Sequence, residues 1–408
     1  MLARRLAKAY PQLAMSARRI HAHLVRLPWL FLALCALAGF AAWLTFVWGS
    51  GREQSAPLPS TQVVDWSELI AALGDEEGFA PPSGPWQLTL PADHGAHPET
   101  RSESWLLSGM LSNSRQEKLG FQLGLQRFAL VPEAALAADS PWRSGEVYRA
   151  HLLLANGTTG LAQGEERFSR AAIGLAGHAA AERRLWLEGW MLEYGLGAGG
   201  GQLRLVGALA DTTVELVLAP HKAPVTVDEA QGRAPFRGYA HTRLVGSGVL
   251  RSPAGEEPVS AGAWLEHLWG EVPLPIGPIV WDRAQLQLDD GSEVLVVRSR
   301  RRDGRGEATI SGYRLDANGL RVGLEPDESR FEPTGDPWRD PRSGARYPLS
   351  WRLATAELEL QIDPLLEAQA HDFVVPFWGG LVSVHGRSEG EAVSGAGFLE
   401  LTGYETAP

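Results

Sequence analysis

The stretch AELELQI, Ala356 to Ile362, puts Ala356, Leu358, Leu360 and Ile362 on one parity and Glu357, Glu359 and Gln361 on the other. Successive side chains of a strand leave opposite faces, so this string predicts a strand with one buried and one wet face. The alternation recurs in QLRLV (Gln202 to Val206), TVELVL (Thr213 to Leu218) and QLQL (Gln285 to Leu288). Asn156-Gly157, Asp290-Gly291 and Asn318-Gly319 each lie between apolar runs, where two-residue type I′ hairpin turns are expected. Long helical periodicity is absent beyond Trp86, which predicts a mainly β, antiparallel body. Closing such strands into barrels removes the exposed edges that invite aggregation.

Composition agrees. Fifteen Trp and 46 Gly among 408 residues suit tight turns and aromatic interiors, and the length allows two domains, each with its own core. The single cysteine, Cys35, excludes an intramolecular disulfide. The first 50 residues hold six basic and no acidic side chains; subtracting them leaves 31 basic against 48 acidic, a formal charge of −17 on the remainder. A body so acidic repels polyanions, so nucleic acid is not an expected partner.

Outward toward the N-terminus, Leu27 to Trp48 reads LPWLFLALCALAGFAAWLTFVW, 22 residues without a charge. That length crosses ~30 Å of hydrocarbon as a helix. Basic residues precede the run and only Arg52 closely follows it, which predicts a single-pass inner-membrane protein with a cytoplasmic N-terminus and a periplasmic body. A cleaved signal peptide and a lipoprotein signal using Cys35 are the competing readings, the second disfavoured by the bulky Leu34 before the cysteine. The expected division is a cytoplasmic basic segment (1–26), a transmembrane helix (27–48), a tether with a short helix over Asp65 to Leu73 (49–85), and two barrels (86–235 and 236–408). The boundary between barrels is placed in the Pro-, Gly- and charge-rich stretch Pro220 to Gly238.

Four islands stand out by composition: DHGAHPETRSESW (Asp93 to Trp105), EERFSRAAIGLAG (Glu165 to Gly177), AWLEHLWG (Ala263 to Gly270) with VWDR (Val280 to Arg283), and GAGFLELTGYE (Gly395 to Glu405). In this order they resemble the AttH-like and carotenoid 1,2-hydratase family of tandem lipocalin-like proteins, over roughly Trp86 to Glu405. The resemblance implies two tandem lipocalin-like antiparallel β-barrels and a pocket for an isoprenoid or lipid-like molecule. It implies either of two functions: hydration of the terminal double bond of an acyclic carotenoid, or ligand binding beside an ABC transporter.

Alkene hydration needs an acid, aromatic faces for the carbocation and a base to activate water. The resemblance assigns these tasks to Asp282 as acid, Trp269, and His267 as orienter or base. His267 and Trp269 are two apart and share a strand face. Trp264, Glu266, Trp281, His94, Trp105 and Trp378 complete the candidate ligand contacts. The chain departs from the family at Glu266, where Asp is common, at Val280, where the hydratases use Tyr, and at Gly379 in Phe377-Trp378-Gly379-Gly380, where relatives read Tyr-Trp-Glu-Gly. These changes favour a binding protein over a hydro-lyase, with an assembly scaffold in a membrane complex as a third reading. For His267, Trp269 and Asp282 a buried hydrogen-bonded cluster pinning barrel strands is the leading expectation, ahead of ligand contact and of catalysis.

Asp93, His94, His97 and Glu99 offer metal-ligand chemistry, yet Gly95 and Pro98 bend this segment into a loop, where pinning hydrogen bonds are expected instead; no cofactor is expected. Arg298, Arg300, Arg301, Arg302 and Arg305 read as a solvated hairpin tip. No Gly-x-Ser-x-Gly elbow supports serine hydrolysis.

Overall fold

The structure, a computed structural model, describes residues 78–132, 145–228, 236–272 and 277–404. The expected membrane span and the short helix over Asp65 to Leu73 lie outside these residues. Among the described residues no helix is long and apolar enough to cross a membrane.

Twelve strands make the first sheet: β1 (Ser102–Asn113), β2 (Lys118–Ala129), β3 (Glu146–Asn156), β4 (Leu161–Arg170), β5 (Ala176–Ala179), β6 (Arg184–Leu187), β7 (Trp190–Leu196), β8 (Gln202–Leu209), β9 (Thr212–Pro220), β10 (Val225–Asp228), β11 (Phe236–Ser252) and β12 (Gly255–Gly270). Downstream run β13 (Ile279–Leu288), β14 (Glu293–Arg301), β15 (Thr309–Leu315), β16 (Arg321–Gly323), β17 (Arg330–Thr334), β18 (Trp338–Arg339), β19 (Arg346–Tyr347), β20 (Ser350–Ala354), β21 (Leu358–Pro364), β22 (Ala370–His371), β23 (Phe377–Ser388) and β24 (Glu391–Thr402). Of these, β18 and β19 pair with each other and the rest form a ten-stranded second sheet.

The first sheet runs β4-β3-β2-β1-β12-β11-β9-β8-β7-β6-β5 and curls until β4 approaches β5 without a ladder between them, a nearly closed barrel. The second runs β16-β15-β14-β13-β24-β23-β21-β20-β17 and stays open as a half-barrel. Every ladder is antiparallel, so the mainly β reading holds, whereas the expectation of two closed cylinders does not: neither sheet is sealed by hydrogen bonds.

The boundary also moves. β11 and β12 follow the Pro- and Gly-rich stretch yet pair into the first sheet, β12 against β1 from Ser102↔Gly270 to Asn113↔Val259. The chain therefore changes sheet between Gly270 and Ile279, not near residue 235. The reason is that β12 fills the place beside β1 that nothing nearer in sequence occupies.

Alternation sets each interior. In β1, Trp105, Leu107 and Leu111 face the core of the first sheet with Leu265 and Trp269 of β12. In β13, Ala284, Leu286 and Leu288 face the second core with Trp351, Trp378 and Leu401. The outer faces of β12 and β13 meet each other instead. There Trp264 lies with Leu295 and Tyr313 in a smaller apolar cluster, and Glu266 accepts from Arg283 Nη2 at 2.6 Å. Gln287 Nε2 donates to the carbonyls of Thr242 and Ala263, while Lys222 and Arg243 both reach Glu293. The two sheets are thus stapled by paired polar groups, which is what burial of such groups requires.

Candidate functional site

Two places in the described structure gather the candidate residues, and period-two geometry explains the split. Odd-numbered residues of β12 face into the first barrel: His267 and Trp269 stand beside Trp105 of β1 and Tyr239 of β11, with Trp105 and Tyr239 both in register with His267. Four of the sequence-derived candidates, His267, Trp269, Trp105 and His94, thus lie near one another, without Asp282.

Its organising group was not foreseen. Glu103, fully buried on the apolar parity of β1, accepts from His267 Nε2 at 2.8 Å, His97 Nδ1 at 2.7 Å, the His97 amide and Arg127 Nε at 3.0 Å. Arg127 continues to Glu146 and to the carbonyls of His97 and Thr100. Burial works against the Glu103 charge, but the bonds from His267 and His97 and the charge of Arg127 outweigh it and hold the carboxyl below the usual range. His97 is pushed up to about 9: burial opposes its charge, and the bonds to Asp93 and Glu103 prevail. For His267, burial prevails over Glu103 and the imidazole is pushed down. Two imidazoles and a guanidinium thus share one carboxylate.

Aromatic faces enclose this group. Trp269 stacks on His97 at 3.8 Å and 7°, Trp105 stacks on His267 at 4.5 Å, and Trp86 meets Trp269 edge-on. A cationic imidazole over an indole face is electrostatically favoured. The ligand atoms of His97, Glu103 and His267 lie within 4.8 Å of one another, a spacing open to a metal. As they stand they are committed to hydrogen bonds, Glu103 to three partners at once, so the loop-pinning role expected for His97 is the one the geometry displays.

Asp282 is elsewhere. It faces the interior of the second sheet, where Arg298 Nη1 donates at 2.8 Å, Arg300 Nε at 3.1 Å, and Arg300 stands over the Tyr404 ring at 4.1 Å. Both His267 nitrogens are taken by Glu103 and the Asp93 carbonyl. The expected pairing of Asp282 as acid with His267 as orienter is thus replaced by two separate clusters, because the inward residues of β12, which are odd-numbered, and those of β13, which are even-numbered, point into different sheets. Arg298 and Arg300 are correspondingly not a solvated tip: alternation turns both inward, while Arg301 turns out to pair with Asp303. Trp378 is also interior to the second sheet, its Nε1 donating to the Glu367 carbonyl.

The second place is a cleft of about 520 Å³ between the sheets. Its walls carry Leu106 of β1, Leu268 of β12, Leu295 and Val297 of β14, Ile310 of β15 and Phe377 of β23. Two sequence-derived ligand contacts line it: Glu266, neutralised by Arg283, and Trp281, whose Nε1 donates to Glu400. Sequence reading missed Arg149, held by Glu166 at 2.6 Å, and His151, whose Nε2 meets the Gln122 amide oxygen at 2.9 Å. Burial, then the charges of Arg149 and His371, keep His151 neutral. Glu266, Trp281, Arg149 and His151 thus meet partners in the protein, while the buried Tyr313 hydroxyl on the same wall has none among the described residues, and the volume lies within the ~300–1,000 Å³ of small-molecule sites.

Comparison with known proteins fits this architecture. A protein of Nitrosomonas europaea assigned as an AttH, known from its crystal structure, is 27% identical with a TM-score of 0.68, covering 80% of this chain and all of that one. Kievitone hydratase of Nectria haematococca shares the fold at 14% identity and a TM-score of 0.57, covering 80% of this chain and 98% of its own. No curated protein matches. The model of the AttH-like family matches residues 81–404, from the first described loop to the last turn of the second sheet, and on that match the chain belongs to the AttH-like family.

Proposed function

We propose that the protein binds one apolar small molecule, of lipid or isoprenoid kind, in the cleft between its sheets. The observation that carries this reading is the make-up of that cleft: apolar side chains from both sheets, with its charged groups Glu266 and Arg149 already paired within the protein. Such a surface gains by covering hydrocarbon, roughly 25 cal/mol per Å², and demands no charge from the guest. In this reading the apolar run 27–48 tethers the body to the inner membrane, the sheets are periplasmic, and an ABC transporter supplies or receives the guest.

Native mass spectrometry of the full chain, released from mild detergent and offered geranylgeraniol, tests it. One adduct per chain is expected. Leu268→Asp and Val297→Asp, each placing a charge on a half-buried cleft wall, should weaken the adduct at least tenfold with unfolding curves that overlay the parent. Undiminished binding in both variants would remove the cleft as the site.

Hydration of a double bond is a second reading, favoured by the fold shared with kievitone hydratase. It would have to run on cleft groups such as Glu266 and Glu400, since Asp282 is capped by two guanidiniums. Incorporation of ¹⁸O from labelled water into an acyclic carotenoid would establish it.

A further inference from the structure

Inside the first barrel, beside the Glu103 cluster, lie two histidines whose rings make no bond to Glu103 and do not line the cleft. His94 ends the 3-10 turn Ala92–His94, and His241 sits where β11 slips register against β12, between His241 and Leu244. A bulge re-aims the side chains beside it, and this one accompanies an imidazole turned into the core. Each residue is 2% exposed, and their ring centroids are 5.7 Å apart. Nε2 of His94 and both ring nitrogens of His241 have no protein partner. A buried polar atom left so costs about 1–3 kcal/mol, and three of them sit together here.

We propose that His94 and His241 form a two-coordinate site for a soft monovalent cation, Cu⁺, each giving one imidazole nitrogen. The spacing suits one atom held by two bonds of about 2 Å. Nδ1 of His94 lies 2.5 Å from the Tyr239 hydroxyl, so in the ligating tautomer Nδ1–H donates to that oxygen and Nε2 offers its lone pair, the outer hydrogen bond that metal-binding histidines usually make. Burial holds His94 down to about 3 and His241 to about 4, which keeps both rings free of protons at neutral pH. Charge selects the ion. The nearest carboxylate in sequence, Asp93, is engaged by the Thr89 amide and His97, leaving two neutral ligands and aromatic rings around the ion. One positive charge is far cheaper to bury there than two, which favours Cu⁺ over Zn²⁺.

The test is an anaerobic titration of the full chain in detergent, competing with bicinchoninate for Cu⁺. One equivalent should be withdrawn by the parent protein and by an exposed-histidine control, His385→Gln, and none by His241→Leu or His94→Gln. X-ray absorption of the loaded parent should report two nitrogen neighbours at about 2 Å. This measurement needs no variant, so misfolding cannot mask the result. Failure of the parent to withdraw Cu⁺, an unchanged stoichiometry in both variants, or equally tight Zn²⁺ binding would each overturn the proposal. Geranylgeraniol binding in the cleft is independent of all three.

Discussion

Glu103 is a carboxylate on the inward parity of a strand whose other inward residues are Trp105, Leu107 and Leu111, and three cationic or polar neighbours make it tolerable there. Asp282 has the same character in the second sheet, with Arg298 and Arg300 as partners. Removing one side of a fully buried pair exposes the other to the full cost of desolvation. Glu103→Gln should therefore cost about 3 kcal/mol in urea unfolding and bring the His97 titration, followed by NMR, down toward that of an ordinary imidazole. Asp282→Asn leaves two arginines that still reach solvent, so a smaller loss of about 2 kcal/mol is expected. Because Asp282 faces away from the cleft, that variant should retain geranylgeraniol within twofold. A tenfold loss would return Asp282 to the ligand site.

At the scale of strands and turns, much could be read directly. Leu358 to Ile362 of AELELQI emerge in β21, with Leu358, Leu360 and Ile362 buried, while Ala356 and Glu357 form the exposed bend before it. Asn156-Gly157, Asp290-Gly291 and Asn318-Gly319 do sit at hairpin tips, but in loops of four or five residues. The reason is local chemistry: side-chain oxygens of Asn156, Asp290 and Asp316 collect following amide or hydroxyl hydrogens and stabilise a wider turn than the two-residue form. Parity held the missed signal for Glu103, since it shares a face with Trp105. What alternation cannot supply is which strand lies alongside, or which side of a strand belongs to which core. β1 and β12 are neighbours across some 150 intervening residues, and the inward sides of β12 and β13 face away from each other, so the split between His267 and Asp282 had no signature in either motif. Close approach of strands is testable too. A methyl at Gly246 would stand 1.9 Å from the Val217 carbonyl oxygen, part of a backbone that cannot swing aside. Gly246→Ala should cost about 1–3 kcal/mol and lower the melting temperature.

For the whole molecule, the buried imidazoles impose a pH optimum on folding. His97 has a folded pKa raised to about 9, so its contribution is complete below the ordinary value near 6.5 and is lost as pH climbs through 9. His94 and His241 are depressed to about 3 and about 4; the unfolded chain takes up their protons first, so stability falls as pH drops from about 6.5 toward 4. Chemical denaturation from pH 4 to 10 should trace a maximum near neutrality. His97→Gln should flatten the alkaline limb and His241→Leu the acidic one.

The cleft has walls from two different sheets, and that has a mechanical consequence. A molecule lodged there touches both halves at once and acts as mortar, so the free energy of its entry adds to the cohesion between them. The coupling is reciprocal: whatever pries the halves apart, thermal agitation or a tug from a docked protein, also ejects the cargo, and a tighter cargo resists the tug in proportion.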